Sequence, residues 1–290
     1  MRTRPVSPDE IAAFRDDGVV CLRGVLPVAL VAAMEGPVEI ALTRSESADL
    51  SEMGRALAAA GEIVLTDGEG RGRFVSGVDH WRAQPEFRAF ACDSPLGAAV
   101  AALLGSRRVL LFEDSVLVKE PNAPERTAWH QDLSYFHVEG EQLCTTWCPL
   151  DPTTPETGAV RYVRGSHRWG DVFRPNLFVS TMSIPGTEGN DVPDIDALAA
   201  AGECEIVTFT TEPGDVVVHH ARTLHAAGGN RSATQRRRAI SVRYAGDDVR
   251  THIRTGAPLK AHQHGLTDGD PLPESEHPVA YAEAPASGRA

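Results

Sequence analysis

The chain has 290 residues, of which 42% are hydrophobic and 23% charged, a composition typical of a globular protein with room for one large domain or two small ones. Its formal net charge of −12 argues against binding to nucleic acid or to an anionic membrane surface, both of which require basic patches. The sequence contains no apolar run as long as a membrane span, no signal-peptide pattern and no Cys-x-x-Cys pair among its five cysteines, so we expect a cytoplasmic protein with reduced thiols.

The N-terminal part, residues 1–106, is predicted to be mostly helical. Ser7, Pro8 and Glu10 predict a helix start, because they place a capping hydroxyl, a proline in the first turn and an acid three residues after the cap. The other elements of this part are, in chain order, a strand at 19–26, a helix at 27–44 and a helix at 95–104 between a capping serine and a glycine.

From residue 107 onwards, short apolar or alternating runs are separated by proline, glycine and aspartate. This pattern predicts an antiparallel sandwich or barrel over residues 107–246, interrupted by a long insertion at 182–203. No glycine-rich phosphate loop follows a strand. Residues 247–290 are expected to form an extended tail. The whole chain, 1–290, is therefore predicted to be a single domain, mainly β with helical decoration.

The pattern His-x-Asp occurs once, at His130 and Asp132 in "TAWHQDLSYF". Chance alone predicts about one such triplet in a chain with 11 histidines, so by itself the pair is also typical of a solvated turn. On a strand or at its end, the two side chains would point to the same face. A metal site would still need a third ligand from a distant segment.

A second group of histidines lies in "GDVVVHHARTLHAAGGNRS". The turn and the β-branched run predict a strand, on which His219 and His220 face opposite ways. His220 is expected to be a hydrogen-bonded core histidine rather than a metal ligand, and a metal-binding role is expected even less for His219. His225 lies near the start of a glycine-rich turn, a position that suits a ligand, and Arg237 lies in the next predicted strand.

Two imidazoles and one carboxylate on one face of a metal ion form the facial triad that suits non-haem Fe(II). Three protein ligands leave positions for a bidentate acid and for dioxygen. An arginine on a neighbouring strand suits the far carboxylate of a dicarboxylate cosubstrate, through paired hydrogen bonds. His130, Asp132, His225 and Arg237 supply these residue types, although each arginine of the run 236–238 is, taken singly, typical of a solvated charge.

Three segments resemble, in this order, the phytanoyl-CoA dioxygenase family of Fe(II)- and 2-oxoglutarate-dependent oxygenases: "VKEPNAPERTAWHQDLSYF", "TTWCPLDPTTPETGAVRYVRGSHRWG" and "PGDVVVHHARTLHAAGGNRSATQRRRAISVRY". The N-terminal "DEIAAFRDDGVVCLRGVL" is also similar to the opening of that family. The resemblance implies a double-stranded β-helix, or jelly roll, as the core of residues 107–246, with iron at one mouth.

The resemblance also implies roles for single residues. His130, Asp132 and His225 would bind Fe(II), and His220, the first histidine of His-x4-His, would not. Arg237 would hold the distal carboxylate of 2-oxoglutarate, while its two neighbours point away. Supporting positions of the family fall on Lys119 and Trp147 at the cosubstrate pocket, on Gln131 behind the ligands, and on a structural loop at Gly165–His167.

One position departs from the family pattern. The family often has serine or threonine two residues after the third ligand, where the hydroxyl helps the arginine to hold the cosubstrate. Here that position is Ala227. Another hydroxyl, or water, would have to take over this contact.

The expected function is that of an Fe(II)/2-oxoglutarate-dependent dioxygenase. It would use O2 to hydroxylate or desaturate an unactivated C–H bond of a small organic substrate, with release of succinate and CO2. Asp132 argues against halogenation, because halogenating relatives lack this carboxylate so that chloride can bind the iron. The alternatives are a cupin-type metal oxygenase or isomerase that does not use 2-oxoglutarate, and a non-catalytic binding protein on the same scaffold.

The sequence says less about the substrate. The loop at 171–194 is expected to cover the pocket mouth, as long loops between strands often do. Four aromatic residues are candidates for substrate contact, with simple loop packing as the alternative: Tyr135, Phe136, Phe173 and Phe178. The acidic balance argues against an acyl-CoA. We expect instead a small apolar molecule or a secondary metabolite. The oligomeric state is not predicted.

Overall fold

Strands make up most of the regular structure in this computed structural model, which describes residues 4–61 and 72–284. The helices within these ranges are α1 (Pro8–Asp17), α2 (Val28–Ala32), α3 (Glu35–Ala41), α4 (Leu50–Ala59), α5 (Pro85–Cys92), α6 (Leu96–Leu104) and α7 (Ile195–Ala200). The strands are β1 (Val19–Leu22), β2 (Ser47–Asp49), β3 (Phe74–Val78), β4 (Arg108–Lys119), β5 (Thr127–His130), β6 (Val138–Glu139), β7 (Leu143–Pro149), β8 (Val160–Val163), β9 (Ile206–Thr208), β10 (Val216–His220), β11 (His225–Ala227), β12 (Arg237–Ala245), β13 (Arg250–Thr251) and β14 (Val279–Ala282).

The strands form two main antiparallel sheets. The larger has the order β1-β10-β7-β12-β4-β3-β2, with β14 paired to β4, and the smaller has the order β5-β11-β8-β9. Strands β13 and β6 form a separate pair. Strands that are distant in sequence lie side by side, and the predicted double-stranded β-helix, or jelly roll, is confirmed.

The two faces of the larger sheet have different chemistry, which strand β12 illustrates. Along a strand, alternate side chains point to opposite faces. Arg237, Ser241 and Arg243 therefore share the face that lines the interior cavities, and Ile240 and Tyr244 belong to the opposite, apolar face. That apolar face is covered by helices α1, α5 and α6, which contribute Phe14, Phe87, Phe90 and Val100 to one buried cluster. The helices thus provide the apolar core and leave the inner face free for polar groups.

The predicted helix start at Ser7 is confirmed. The Ser7 hydroxyl accepts a hydrogen bond from the Glu10 amide at 3.2 Å, and the Glu10 carboxylate accepts one from the Ser7 amide at 2.8 Å. The strand expected at 19–26 is shorter and ends at Leu22, because Gly24 has a φ of 59° and turns the chain.

The prediction of one helix at 27–44 was wrong. Helix α2 ends at Ala32 and α3 begins at Glu35. Pro37 explains the break, since it has no amide hydrogen and its ring would clash with the carbonyl four residues earlier. The helix expected at 95–104 is α6, with the Ser94 hydroxyl accepting from the Leu96 amide at 3.2 Å.

The N-terminal part is not only helical, because β1, β2 and β3 join the larger sheet. The C-terminal tail is likewise more ordered than an extended chain, since β13 and β14 are both paired. Residues 1–3 and 62–71 of the N-terminal prediction and residues 285–290 of the tail prediction lie outside the described residues. No single described helix is long and apolar enough to cross a membrane. Helices α5 and α6 together have the length and apolar composition of a membrane span, but they are bent by 44° relative to each other and their apolar residues are packed in the core.

Helix α6 packs closely against β14 at Gly97. A Cβ atom at Gly97 would lie 2.3 Å from the Ala280 carbonyl oxygen, so Gly97→Ala should destabilise the protein by about 1–3 kcal/mol through forced backbone movement. Gly36, in α3, is the matched control, since a Cβ there meets no atom within 4 Å and alanine favours a helix. Urea unfolding of both variants measures the difference, and equal stabilities would contradict this account of the contact.

Candidate metal centre

His130, Asp132 and His225 come together at the end of β5 and the start of β11. These two strands pair antiparallel with His225 directly opposite His130, and Asp132 begins the short turn that follows β5. Nε2 of His130 and Nε2 of His225 lie 3.7 Å and 3.6 Å from Oδ1 of Asp132. All three side chains are buried, and their ligand atoms lie within 4.8 Å of one another, a spacing that could hold one metal ion.

Backbone carbonyls orient both imidazoles. Nδ1 of His130 lies 2.8 Å from the Ala128 carbonyl oxygen, and Nδ1 of His225 lies 2.9 Å from that of Thr223. Nδ1 therefore carries the hydrogen, and Nε2 turns its lone pair towards Asp132, as in metal-bound histidines. Burial lowers the pKa of His130 to about 3 and that of His225 to about 4, so both imidazoles are neutral near pH 7.

The second carboxylate oxygen of Asp132 is held by other groups. Oδ2 accepts a hydrogen bond from the Thr145 hydroxyl at 2.5 Å and lies 3.7 Å from Nε of Arg243. Burial alone would raise the pKa of Asp132, but Arg243 and the neighbouring imidazoles outweigh this effect and hold the pKa well below its ordinary value. The ionised carboxylate thus directs Oδ1 alone towards the two imidazoles.

The two adjacent histidines face opposite ways, as strand alternation predicted. His219 is the one that faces the centre, with Nε2 3.4 Å from Oδ2 of Asp132 and its ring 4.3 Å from that of His225. His220 faces away, with its ring nitrogens at the Glu141 carbonyl and the Arg222 amide. Strand alternation predicted that only one of them points inward, but it did not decide which one.

The loop Gly165–His167 supports the third candidate ligand. The Ser166 hydroxyl donates to the Val163 carbonyl at 2.8 Å and accepts from the Leu224 amide at 2.9 Å, immediately before His225. Gly165 has a φ of 73°, which favours glycine. Gln131 acts similarly on the other side, since its amide donates to two backbone carbonyls and its oxygen accepts from the Phe173 amide.

Arg237 is the arginine of its run that points inward. It is 2% exposed, lies 5.7 Å above the Trp147 ring and lines a narrow cavity together with the three candidate ligands. Its side chain makes no hydrogen bond or ion pair with another described residue. Burial lowers the pKa of Arg237 to about 10, which leaves it a cation at neutral pH. By contrast, Arg236 pairs with Glu120, and Arg238 pairs with Asp151 on the outside.

Lys119 lies outside that narrow cavity. Its amine donates to the carbonyls of Glu125 and Gly228 at 2.9 Å and 2.6 Å, and it lies 4.5 Å above the Phe74 ring. These carbonyls flank β5 and β11, so Lys119 ties together the strands that carry the two imidazoles.

A larger cavity of about 450 Å³ adjoins the centre and shares His130 and Asp132 with it. Of the aromatic candidates, Tyr135, Phe136 and Phe178 line this cavity. Phe173 does not, and packs instead in an apolar cluster with Trp129 and Val163. Phe178 has a φ of 64°, an uncommon conformation for a large side chain, and its ring lies 5.2 Å from that of His130.

Several lining residues were not anticipated. Arg243 was identifiable in principle, because it lies six residues after Arg237 on one strand and so faces the same way. Thr145 lies on β7, opposite His219 in the pairing of β7 with β10, a register that the sequence does not reveal. Pro258, Leu259 and Lys260 of the tail line the larger cavity, and no pattern in the sequence indicated this.

Comparisons with known proteins agree with this geometry. A sequence model of the phytanoyl-CoA dioxygenase (PhyH) family matches residues 14–239. The multifunctional dioxygenase prhA of Penicillium brasilianum is 26% identical over 248 residues, which cover 81% of this chain and 71% of that protein. The 1-deoxypentalenic acid 11-beta-hydroxylase of Streptomyces arenae is 30% identical over 173 residues, 58% of this chain and 55% of that protein.

Solved structures give the same result. The epimerase SnoN, in complex with Fe3+, alpha ketoglutarate and nogalamycin RO, superposes with a TM-score of 0.68 at 25% identity, over 94% of this chain and 97% of that one. The non-heme alpha ketoglutarate dependent carbocyclase SnoK from nogalamycin biosynthesis has a TM-score of 0.67 at 23% identity, over 95% and 96% of the two chains, and shows the shared fold.

Buried neutral histidines should make the metal-free protein sensitive to acid. Burial lowers the pKa of His277 from 6.5 to about 4, so between these values the unfolded chain binds the proton more readily. The stability that neutral His277 contributes is present above pH 6.5 and is lost as the pH falls towards 4, by up to about 3 kcal/mol. The loss of unfolding free energy between pH 7 and pH 5, measured by urea unfolding, should be smaller for His277→Gln than for the wild type. An unchanged pH dependence in His277→Gln would contradict this assignment.

Proposed function

Since the chain belongs to the phytanoyl-CoA dioxygenase family, and is thus an iron- and 2-oxoglutarate-dependent oxygenase, we propose that His130, Asp132 and His225 hold its Fe(II). The donor set supports this assignment, because two neutral imidazoles and one ionised carboxylate form the facial triad preferred by non-haem Fe(II). Their backbone and side-chain partners keep the donor atoms in place before any metal binds.

The single observation that carries the cosubstrate assignment is the buried, unpaired charge of Arg237. A cation away from water is costly unless an anion compensates it. Among the described residues, no carboxylate lies within ion-pair distance of Arg237, yet its cavity also contains the candidate iron ligands. A dicarboxylate that reaches both the metal and the arginine satisfies both requirements. We therefore assign the distal carboxylate of 2-oxoglutarate to Arg237, with Trp147 as a wall of that pocket.

The missing hydroxyl at Ala227 has replacements nearby. Thr127, Tyr162 and Ser241 line the same narrow cavity as Arg237. Tyr162 is directly opposite His225 in the register of β8 and β11, and its buried hydroxyl has no hydrogen-bond partner. An unsatisfied buried hydroxyl is costly, which favours Tyr162 as the donor that joins Arg237 at the carboxylate.

We assign Lys119 a structural role in holding two strands together, and not a direct contact with the cosubstrate. The family resemblance places it at the cosubstrate pocket, and its amine instead donates to the carbonyl of Glu125 just before β5 and to that of Gly228 just after β11. In this role it maintains the distance between the two strands that carry His130 and His225.

Iron with bound 2-oxoglutarate and O2 supplies the oxidant that removes hydrogen from a substrate C–H bond, and the cosubstrate leaves as succinate and CO2. The residues of this chain position the reactants and exclude water. Asp132, held by Thr145 and Arg243, would supply a carboxylate oxygen to the iron, and the presence of this carboxylate favours hydroxylation or desaturation over halogenation. Phe178 and Tyr135 cover His130 on the side of the larger cavity.

We further propose that the substrate is a small molecule and that the protein acts in the cytoplasm. The net charge of −12 and the five free cysteines support these two points, and SnoN is a relative of similar length whose complex contains a small-molecule ligand. Tyr135, Phe136 and Phe178 are assigned to substrate contact, and Phe173 is assigned to packing.

Asp132→Ala should abolish 2-oxoglutarate turnover and lower Fe(II) affinity by roughly 100-fold, because the only carboxylate donor of the proposed triad is lost. The measurements are anaerobic Fe(II) titration and succinate release. Asp191→Ala, at an exposed carboxylate of the loop 171–194, is the control and should behave like the wild type. Succinate release at the wild-type rate by Asp132→Ala would reject the proposed iron site.

Arg237→Ala should weaken 2-oxoglutarate binding by about 100-fold, or about 3 kcal/mol, while Fe(II) affinity stays within a few-fold of the wild type. The adjacent Arg236→Ala removes an arginine that pairs outside with Glu39 and Glu120, and it should leave both affinities unchanged. Anaerobic calorimetric titrations of each ligand separate the two effects. Equal losses of cosubstrate affinity in both variants would contradict the assignment to Arg237.

A further inference from the structure

One wall of the larger cavity is charged, whereas most of its other walls are apolar. The apolar lining comes from Leu50, Val78, Leu117, Phe136, Phe178 and Leu259. The charged wall contains Arg243, Glu113 and Lys260, which form a chain of ion pairs that begins at Asp132 of the candidate iron site. Glu113 is 6% exposed, so its charge is well shielded from water.

Every charge of this wall has an opposite partner within the protein. Nη1 of Arg243 lies 3.7 Å from Oε1 of Glu113 and donates to the Ser115 hydroxyl. The amine of Lys260 contacts the other oxygen of Glu113 and lies 2.7 Å from Oδ2 of Asp79. Lys260 comes from the C-terminal tail, so the tail supplies the outermost cation of the alternating series Arg243, Glu113, Lys260 and Asp79.

The charges around the two cavities balance once the proposed iron and 2-oxoglutarate are included. The divalent iron offsets the two negative charges of the cosubstrate, and the imidazole ligands are neutral. The charged side chains that line the two cavities are equal in number, with three carboxylates and three cations, namely Glu46, Glu113, Asp132, Arg237, Arg243 and Lys260. Lys260 also pairs with Asp79, which lies outside the lining. At the rim, Glu46 is paired with Arg44 at 3.0 Å. No charge of this set is left over to compensate an ion brought in by a substrate.

We propose, on the basis of the function proposed above, that the larger cavity selects an uncharged substrate that is apolar on most of its surface and carries hydroxyl or carbonyl oxygens along one edge. That edge faces Arg243 and Glu113. An ionised group in the cavity would be a buried charge without a partner, which costs several kcal/mol in proteins. A neutral oxygen loses little, because it brings no charge into the cavity and, among the described residues, the Arg243 guanidinium makes a single hydrogen bond, from Nη1 to the Ser115 hydroxyl.

The same balance disfavours a coenzyme A thioester. Its phosphates need cations that are not already paired, and Lys260 and Arg243 are both engaged by Glu113. The substrate class that fits is a neutral molecule built on a ring system with oxygen substituents, for which a cavity volume of about 450 Å³ is adequate.

Three matched probes test the proposal: 9-fluorenemethanol, 9-fluorenecarboxylate and 9-(aminomethyl)fluorene, which is a cation at neutral pH. The full-length protein is loaded with Mn(II) and 2-oxoglutarate under argon, and paramagnetic relaxation of the probe protons reports binding near the metal, with Zn(II) as the diamagnetic reference. We expect the alcohol to bind at least about tenfold more tightly than either ion. An ion that binds as tightly as the alcohol overturns the proposal.

Two charge-changing variants and their combination sharpen this test. Glu113→Gln leaves one positive charge in excess and should shift the preference towards the carboxylate, whereas Lys260→Met should shift it towards the ammonium, each by about tenfold. The double variant is neutral again and should regain the preference for the alcohol. Variants that change all three affinities equally, or a double variant that keeps an ionic preference, contradict the charge-balance argument. If a variant fails to fold, the comparison of the three probes on the wild type still decides.

The failure of this inference is distinguishable from failure of the proposed function. Calorimetry of Mn(II) and 2-oxoglutarate is performed on the same samples before any probe is added. Loss of those two binding events would reject the proposed iron and cosubstrate sites. Normal binding of both, with no preference for the alcohol, would reject only the substrate class.

Discussion

The site depends on one constraint, the antiparallel register that places His225 opposite His130. Side chains alternate between the two faces of a strand, so a slip of one residue between β5 and β11 would turn one imidazole to the outside. Groups outside the strands fix this register. Lys119 ties the backbone of the two strands together at the end of the pair away from His130 and His225, and the Ser166 hydroxyl accepts a hydrogen bond from the amide that precedes His225. The geometry of the donor atoms is therefore a property of the sheet, and it exists before a metal arrives.

The two faces of the larger sheet have different roles, since one contributes to stability and the other carries the groups of the proposed site. Its outer face is apolar and packs against α1, α5 and α6, whereas its inner face carries arginines, hydroxyls and imidazoles. Burying so many polar groups is costly, and the structure meets the cost in two ways. Asp132, Arg243 and Glu113 compensate one another, while Arg237 and Tyr162 are left for a ligand to satisfy.

The features of the fold and of the site that could be predicted from the sequence are those that depend on a local sequence pattern or on a family motif. Alternating strands, the start of α1 and the grouping of His130, Asp132 and His225 follow from short stretches of chain. Features that depend on packing between distant segments were missed. His219 was ranked below His220, because alternation tells that adjacent residues face opposite ways without telling which face is inside. Phe173 was grouped with Phe178, although Phe173 packs with Trp129 and Val163 and only Phe178 reaches the cavity.

The position of the C-terminal tail in the substrate-side wall affects how related proteins can diverge in substrate choice. Pro258, Leu259 and Lys260 form part of the substrate-side wall, yet they follow the last long strand of the jelly roll and contribute nothing to the proposed iron site. The oxidising centre and the choice of what is oxidised are thus encoded in separate stretches of chain. Substitutions at residues 258–260 can reshape this wall while the donor atoms keep their spacing, so new substrates are accessible by evolution without rebuilding the metal-binding scaffold.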